Sequence, residues 1–160
     1  MADQFKRVAV DTSVVLDYLL DEDTELADRA EYLLAGHADR HTVVLPAIVI
    51  AEIGGAPSVR GDHIPKPERQ RRITRAMEWI RNSNFVVAEI SERTARRAAD
   101  IAVEYGLKGP DAAILASAEE WACDRLYARD DDLLKCNGQF AFTISEPDDP
   151  PEPEPNLFTL

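Results

Sequence analysis

Cysteine is scarce in this chain. Cys123 and Cys136 are the only two in 160 residues, and no Cys-x-x-Cys spacing occurs. A disulfide scaffold is thereby excluded, and the two thiols read as buried or idle groups in a reducing compartment. Basic charge is also short: Lys and Arg number 18 against 30 Asp and Glu, a formal net charge of -12. Such a balance does not advertise nucleic-acid binding, since phosphates attract Lys and Arg, unless some of the acids hold divalent cations and so invert the local field. No apolar run approaches ~18 residues and Met1 to Lys6 has no apolar core, so neither a membrane span nor a signal peptide is expected, and the chain reads as cytoplasmic. Gly-x-Ser-x-Gly, the Walker loop and Gly-x-Gly-x-x-Gly are missing, which removes the usual nucleophile and nucleotide signatures. The three histidines, His37, His41 and His63, are scattered in polar or loop sequence and read as surface groups.

What is present is a hydrophobic content of 45%, enough for one domain with a real core. Short apolar runs alternate with helical patterns. Strands are expected at 7–10, 42–45, 85–88 and 125–128, with a last edge strand at 140–144. Helices are expected at 14–20, 24–35, 46–53, 68–81, 92–105 and 110–121, with a helical turn at 131–135. Pro46 and Pro110 suit helix first turns, Gly54-Gly55 reads as a helix stop, and 56–67 reads as a loop. Strands separated by helices argue an α/β fold with a mostly parallel sheet. The domain is expected to span 1–145. The tail, 146–160, interleaves Pro147, Pro150, Pro151, Pro153 and Pro155 with acids, and is expected to be extended or disordered because it has too little apolar surface to bury.

The placement of acids carries the chemistry. In open α/β sheets, sites form beyond the carboxyl ends of the strands. Asp11 directly follows the first strand and Asp130 follows the fourth, so adjacent parallel strands would bring them together. Glu52 lies in Pro46-Ala-Ile-Val-Ile-Ala-Glu-Ile-Gly, which has no other polar side chain. A helix apolar all round is a buried one, so this carboxylate should be partly desolvated and should need a partner or a metal. Asp111 opens the helix in Gly109-Pro-Asp-Ala-Ala-Ile-Leu-Ala-Ser-Ala. Singly, each has an ordinary explanation: Asp11 as a cap, Asp111 as a first-turn acid, Asp130 to Asp132 as a solvated turn, Glu52 on a wet face. Jointly, they offer the oxygen ligands that a hard divalent ion takes, and clustered carboxylates keep their charge only beside a cation.

Four segments resemble those of PIN domains, and of the VapC-like toxins among them: Val10-Asp-Thr-Ser-Val-Val-Leu-Asp, Pro46-Ala-Ile-Val-Ile-Ala-Glu-Ile, Gly109-Pro-Asp-Ala-Ala-Ile-Leu-Ala-Ser-Ala and Tyr127-Ala-Arg-Asp-Asp-Asp-Leu-Leu. The resemblance runs over residues 7–144. It implies a Rossmann-like α/β/α sandwich with a four- to five-stranded sheet, and a Mg²⁺- or Mn²⁺-dependent endoribonuclease. Asp11, Glu52, Asp111 and Asp130 would be metal ligands, with Asp132 as a fifth acid and Ser13 as a hydroxyl holding a metal-bound water. It further implies an RNA substrate, a homodimer and a small antitoxin. Ala128 departs from the pattern, which has Thr or Ser there. Among basic residues, Arg69, Arg72, Arg75 and Arg96 are candidates for gripping RNA phosphates. Two other readings stand beside this one: a PIN domain that has lost catalysis and only binds, and a haloacid-dehalogenase-like phosphatase. The second needs Asp-x-Asp at the first strand, where this chain has Ser13 as the second acid position.

Overall fold

The computed structural model describes residues 6–61 and 63–155. Five strands form one sheet in the order β3-β2-β1-β4-β5, every neighbouring pair parallel. They are β1 (Arg7–Val10), β2 (Thr42–Pro46), β3 (Val86–Ala88), β4 (Arg125–Tyr127) and β5 (Thr143–Ser145). The eight helices of the described residues are α1 (Thr12–Leu20), α2 (Thr24–Ala35), α3 (Ala47–Gly55), α4 (Pro57–Arg60), α5 (Lys66–Ser83), α6 (Glu92–Tyr105), α7 (Gly109–Glu120) and α8 (Asp131–Leu134). β1 is central because Ala9 and Val10 have no exposed surface and its neighbours lie on both sides. The chain leaves β1 toward β2 on one flank and returns to β4 on the other, which makes the end of β1 the switch point where parallel sheets open a crevice.

Local sequence sets the element ends. Asp23 caps α2 by accepting from Leu26 N–H, and Ser91 caps α6 by accepting from Thr94 N–H. α6 ends at Gly106, whose φ of 66° lies in the left-handed region that glycine adopts freely. α7 is the pillar of the core. Ala112 through Ala118 are all buried, so this short-residue helix lies flat between the sheet and its neighbours.

Four features differ from the sequence expectation. Pro46 is not in a helix first turn. It closes β2, pairing with Ala88, and sits at the cap of α3. α3 does not stop before Gly54-Gly55 but runs through both, and ends at Ala56, whose ψ of 130° is extended. Pro57 forces that, since the residue before a proline is pushed out of the helical region. The expected loop at 56–67 contains α4, with Val59 buried as its anchor. The last strand is shifted to Thr143–Ser145, because Phe140 and Phe142 stack on each other at 5.1 Å, with Tyr105 beside Phe140, instead of pairing.

α3 is not buried all round. Val49 and Ile53 face the core, Ile48, Ile50 and Glu52 are half-buried, and Ala51 is exposed. His37 and His41 are not free surface groups either. His37 Nδ1 accepts from Val43 N–H at 3.0 Å, and His41 Nε2 lies 2.8 Å from the Leu33 carbonyl. Beyond β5, Pro147 is buried, and Asp149 and Asp148 lie 2.6 Å and 3.6 Å from the guanidinium nitrogens of Arg29 and Arg125. No helix among the described residues is long and apolar enough to cross a membrane.

Candidate metal centre

The parallel pairing of β1 with β4 sets Val10 opposite Tyr127 and continues one step further, where Asp11 N–H donates to the Tyr127 carbonyl at 2.9 Å. Asp11 therefore leaves the sheet beside the strand that leads to Asp130, although the two are far apart in sequence. Asp11 is also the cap of α1. Its Oδ2 accepts from Ser13 Oγ at 2.6 Å and from Ser13 N–H at 3.3 Å. The capping geometry fixes the carboxylate direction, and only 4% of the residue is exposed. Burial raises the pKa of Asp11 above the ordinary carboxylate value, the Ser13 and Thr12 hydrogen bonds oppose this, and the charge of Asp130 adds to it.

Glu52 reaches α1 from α3. Its Oε2 accepts from Thr12 Oγ1 at 2.6 Å. Its pKa is raised by burial first, then by Asp11 and Asp130, with the Thr12 bond working the other way. Asp130 caps α8 with Oδ1, which accepts from Asp132 N–H at 2.9 Å and Leu133 N–H at 3.3 Å. One oxygen from each of Asp111, Asp130 and Asp132 lies within 4.8 Å of the other two.

Asp111, at the start of α7, stands apart in one respect. No described residue donates a hydrogen bond to its carboxylate by the contacts seen here, and it is surrounded by negative groups. Burial raises its pKa to about 6, with Asp130, Asp11, Glu52 and Asp132 all pushing the same way. Four acids from three other chain segments thus act on Asp111, of which Asp130 and Asp132 form the tight oxygen group with it and Asp11 and Glu52 lie outside that group. Asp11, Glu52 and Asp130 each have a protein donor holding one oxygen, which leaves their carboxylates pointed at little further ordering cost. An all-oxygen set of this kind fits Mg²⁺ or Mn²⁺ rather than a thiolate- or imidazole-seeking ion.

Two further groups escaped the sequence reading. Arg129, next to the acids, turns its guanidinium away onto Asp17 of α1, with Nε–Oδ2 at 2.5 Å and Nη2–Oδ1 at 2.7 Å. Its backbone N–H donates to Ser13 Oγ at 3.1 Å. Ser13 thereby ties the end of β1 to the segment after β4, and the bidentate pair locks that segment to α1. The cluster gains no cation from Arg129. Thr12, which orients Glu52, was the other. Asp17 carried the signal that identified Glu52: it is a lone acid in the otherwise apolar run Val14-Val-Leu-Asp-Tyr-Leu-Leu. Ala128 has no exposed surface, so a hydroxyl is absent from this place and Ser13 supplies the one that meets the Arg129 amide.

The four candidate phosphate-binding arginines do not share one face. Arg72 hydrogen-bonds Glu68 and the Ser58 carbonyl, and with Arg75 borders a cleft between α1, α2 and α5. Arg96 of α6 is paired to Glu92. Arg69 lies in a separate groove beside α3.

The profile of the PIN domain family matches residues 8–138. No curated protein matches the sequence significantly. Among solved structures, the VapC20 toxin of Mycobacterium tuberculosis, described as cleaving the sarcin–ricin loop, superposes with a TM-score of 0.64 at 21% identity, covering 85% of this chain and 98% of the toxin. FitAcB of Neisseria gonorrhoeae gives 0.64 at 20% identity over 88% of this chain and 97% of that one. VapBC2 of Rickettsia felis, solved bound to promoter DNA, gives 0.60 at 14% identity over 89% and 99%. At such identities the superpositions speak for the fold. The family profile, which takes in the segments of Asp11, Glu52, Asp111 and Asp130 together, speaks for descent: the chain belongs to the PIN domain family.

Proposed function

We propose that this chain is a metal-dependent endoribonuclease of the VapC-like toxin type, with Asp11, Glu52, Asp111 and Asp130 as ligands of Mg²⁺ or Mn²⁺ and Asp132 as a supporting acid. One observation carries the reading. Asp111 is held among four other acids, and no residue among those described donates a hydrogen bond to its carboxylate, a costly arrangement for a carboxylate at neutral pH unless a cation shares the site. A bound divalent ion supplies water activation and stabilises charge on the scissile phosphate and its leaving oxygen.

The protein's own residues prepare that site. Ser13 and the amides of α8 fix Asp11 and Asp130 in direction. Thr12 fixes Glu52. Asp11, the most buried of the acids, and Asp111, the one whose pKa is pushed up to about 6, take the central ligand role; Glu52 and Asp130 set the geometry around them. Ser13 Oγ, already bonded to Asp11 and to the Arg129 amide, orients a water at the cluster edge.

The partner reading follows the neighbours. One solved neighbour, from Mycobacterium tuberculosis, is described as a member of the VapBC family of toxin–antitoxin systems, and another, from Klebsiella pneumoniae, as a toxin–antitoxin complex; a small antitoxin is proposed here on that basis, and a homodimer in the cytoplasm on the family resemblance. The test is incubation of the chain with single-stranded RNA and Mg²⁺ or Mn²⁺. Cleavage that is lost with EDTA and reduced at least 100-fold by Asp111→Asn supports the proposal. Cleavage that survives both would refute it, and so would hydrolysis of a small phosphomonoester without RNA cleavage, which the haloacid-dehalogenase reading requires.

A further inference from the structure

A groove of about 550 Å³ lies beside the C-terminal half of α3, bordered by Gly54, Arg60, Lys66, Arg69, Gln70 and Ile73. Among the described residues, none that borders it is acidic. In a chain of net charge -12 this is unusual. Two neighbouring cations of α5 are spent locally, since Arg71 and Arg72 both bond to Glu68. Arg60, Lys66 and Arg69 take part in no ion pair among the described residues, and all three meet in this one place.

The groove is built rather than incidental. Val59 anchors α4 in the core, and the Arg72 guanidinium holds the Ser58 carbonyl, so α4 presents Arg60 against the start of α5. Gly54 and Gly55 keep the opposite wall bare. A Cβ at Gly54 would meet only Ile73 Cδ1, at 3.9 Å, and one at Gly55 would meet nothing within 4 Å. Ile73 gives a half-buried apolar floor, and Gln70 is an exposed amide. Three cations without an ion-pair partner among the described residues, an apolar floor and an amide are the ingredients for holding a phosphate backbone with a base laid against the wall. The groove opens on the face of α3 roughly opposite Glu52. Gly54 is two residues from Glu52, and a helix is only ~10 Å across.

We propose that this groove binds the phosphate backbone of single-stranded RNA on one side of the scissile bond, offsetting the repulsion that an acidic domain would otherwise present. The inference rests on the nuclease reading for its biological sense but not for its test. Binding of a fluorescently labelled, unstructured single-stranded RNA is measured in Mg²⁺ over a range of salt, in the full chain carrying Asp111→Asn so that the strand stays whole. With Arg60→Gln, Lys66→Gln and Arg69→Gln combined, the account expects affinity to fall more than tenfold and the slope of log K against log salt to shrink by about 2, since each phosphate contact on a single strand contributes about 0.7. Gly54→Leu fills the groove while keeping every charge; affinity should fall with the slope nearly unchanged. Arg40→Gln, at the far end of β2, is the control. An unaltered slope and affinity in the triple variant overturn the proposal. Binding of a glutamate-rich peptide in the groove, with RNA affinity unaffected by the triple variant, overturns it in favour of a protein partner. If RNA binds through the groove but the unsubstituted chain never cleaves it, the nuclease reading fails and the groove assignment stands.

Discussion

At the scale of single residues, three of the candidate carboxylates, Asp11, Glu52 and Asp130, are steered by a hydrogen-bonding neighbour, and Asp111 is not. Thr12→Val removes the hydroxyl that holds Glu52 Oε2 at 2.6 Å with little change in volume. The fold should lose about 1 kcal/mol, while RNA cleavage should drop about tenfold, because Glu52 is then free to swing; a cleavage assay beside a denaturant melt separates the two effects. Arg129→Met is expected to cost about 2 kcal/mol, since Asp17, whose side chain is 11% exposed, is left without its partner. A Met that left the denaturation midpoint unchanged would show that the pair contributes nothing to holding the segment after β4. How far these residues were legible is uneven. Asp11, Glu52, Asp111 and Asp130 stood out because each is an acid at a strand end, a helix start or in an apolar run. Thr12 and Arg129 did not, because a threonine in a first turn and an arginine in a charged turn look ordinary until the chain folds them onto Glu52 and Asp17.

At the scale of elements, the strands and helices followed from periodicity and from caps. α6 and α2 begin and end where Ser91, Asp23, Gly106 and Gly36 mark them. The errors sit where two local signals compete. Gly54-Gly55 reads as a stop, yet Pro57 ends the helix instead, and Pro46 serves both the end of β2 and the cap of α3. α3 looked fully buried because its composition is apolar, but composition does not say which face has a neighbour. The caps also link stability to ions. Asp111 at the head of α7, with a pKa raised to about 6, holds its proton in the folded chain at pH values where the unfolded chain has lost it. Stability of the metal-free protein should therefore fall as pH rises from about 4 to about 6. Divalent ions should reverse this. With the ion at one hundred times its dissociation constant, stabilisation is about 2.7 kcal/mol, or roughly 5 to 10 °C in melting temperature for a domain of this size. That gain should fade below about pH 6 as protons compete for the ligands. Thermal melts at pH 5 and 7.5, with and without Mg²⁺, read it directly; equal gains at both pH values would contradict the acid cluster as the binding site.

At the scale of the whole molecule, the all-parallel order β3-β2-β1-β4-β5 sets the ends of β1 and β4 side by side, and with them the segments that carry Asp11 and Asp130. The negative balance of the chain is not spread evenly in its consequences. Part of it is concentrated at the site, and part lies after Ser145, where Asp148 and Asp149 meet Arg125 and Arg29 and Pro147 is buried. Removing residues 150–160 should leave the melting temperature within about 2 °C, whereas removing everything from Glu146 should cost about 1 to 2 kcal/mol through the lost Pro147 packing and the exposed ion pairs. A chain that melts identically in both truncations would show the docked segment to be incidental.

The most direct test of the shared cation is calorimetric titration of Mn²⁺ into the full chain at pH 7.5, with Asp11→Asn, Asp111→Asn and Asp130→Asn run alongside. The account expects saturable binding to the unsubstituted chain and a loss of at least tenfold in affinity in each variant, with the circular dichroism of all four proteins alike. Failure of the unsubstituted chain to bind Mn²⁺, or undiminished binding in all three variants, would contradict it.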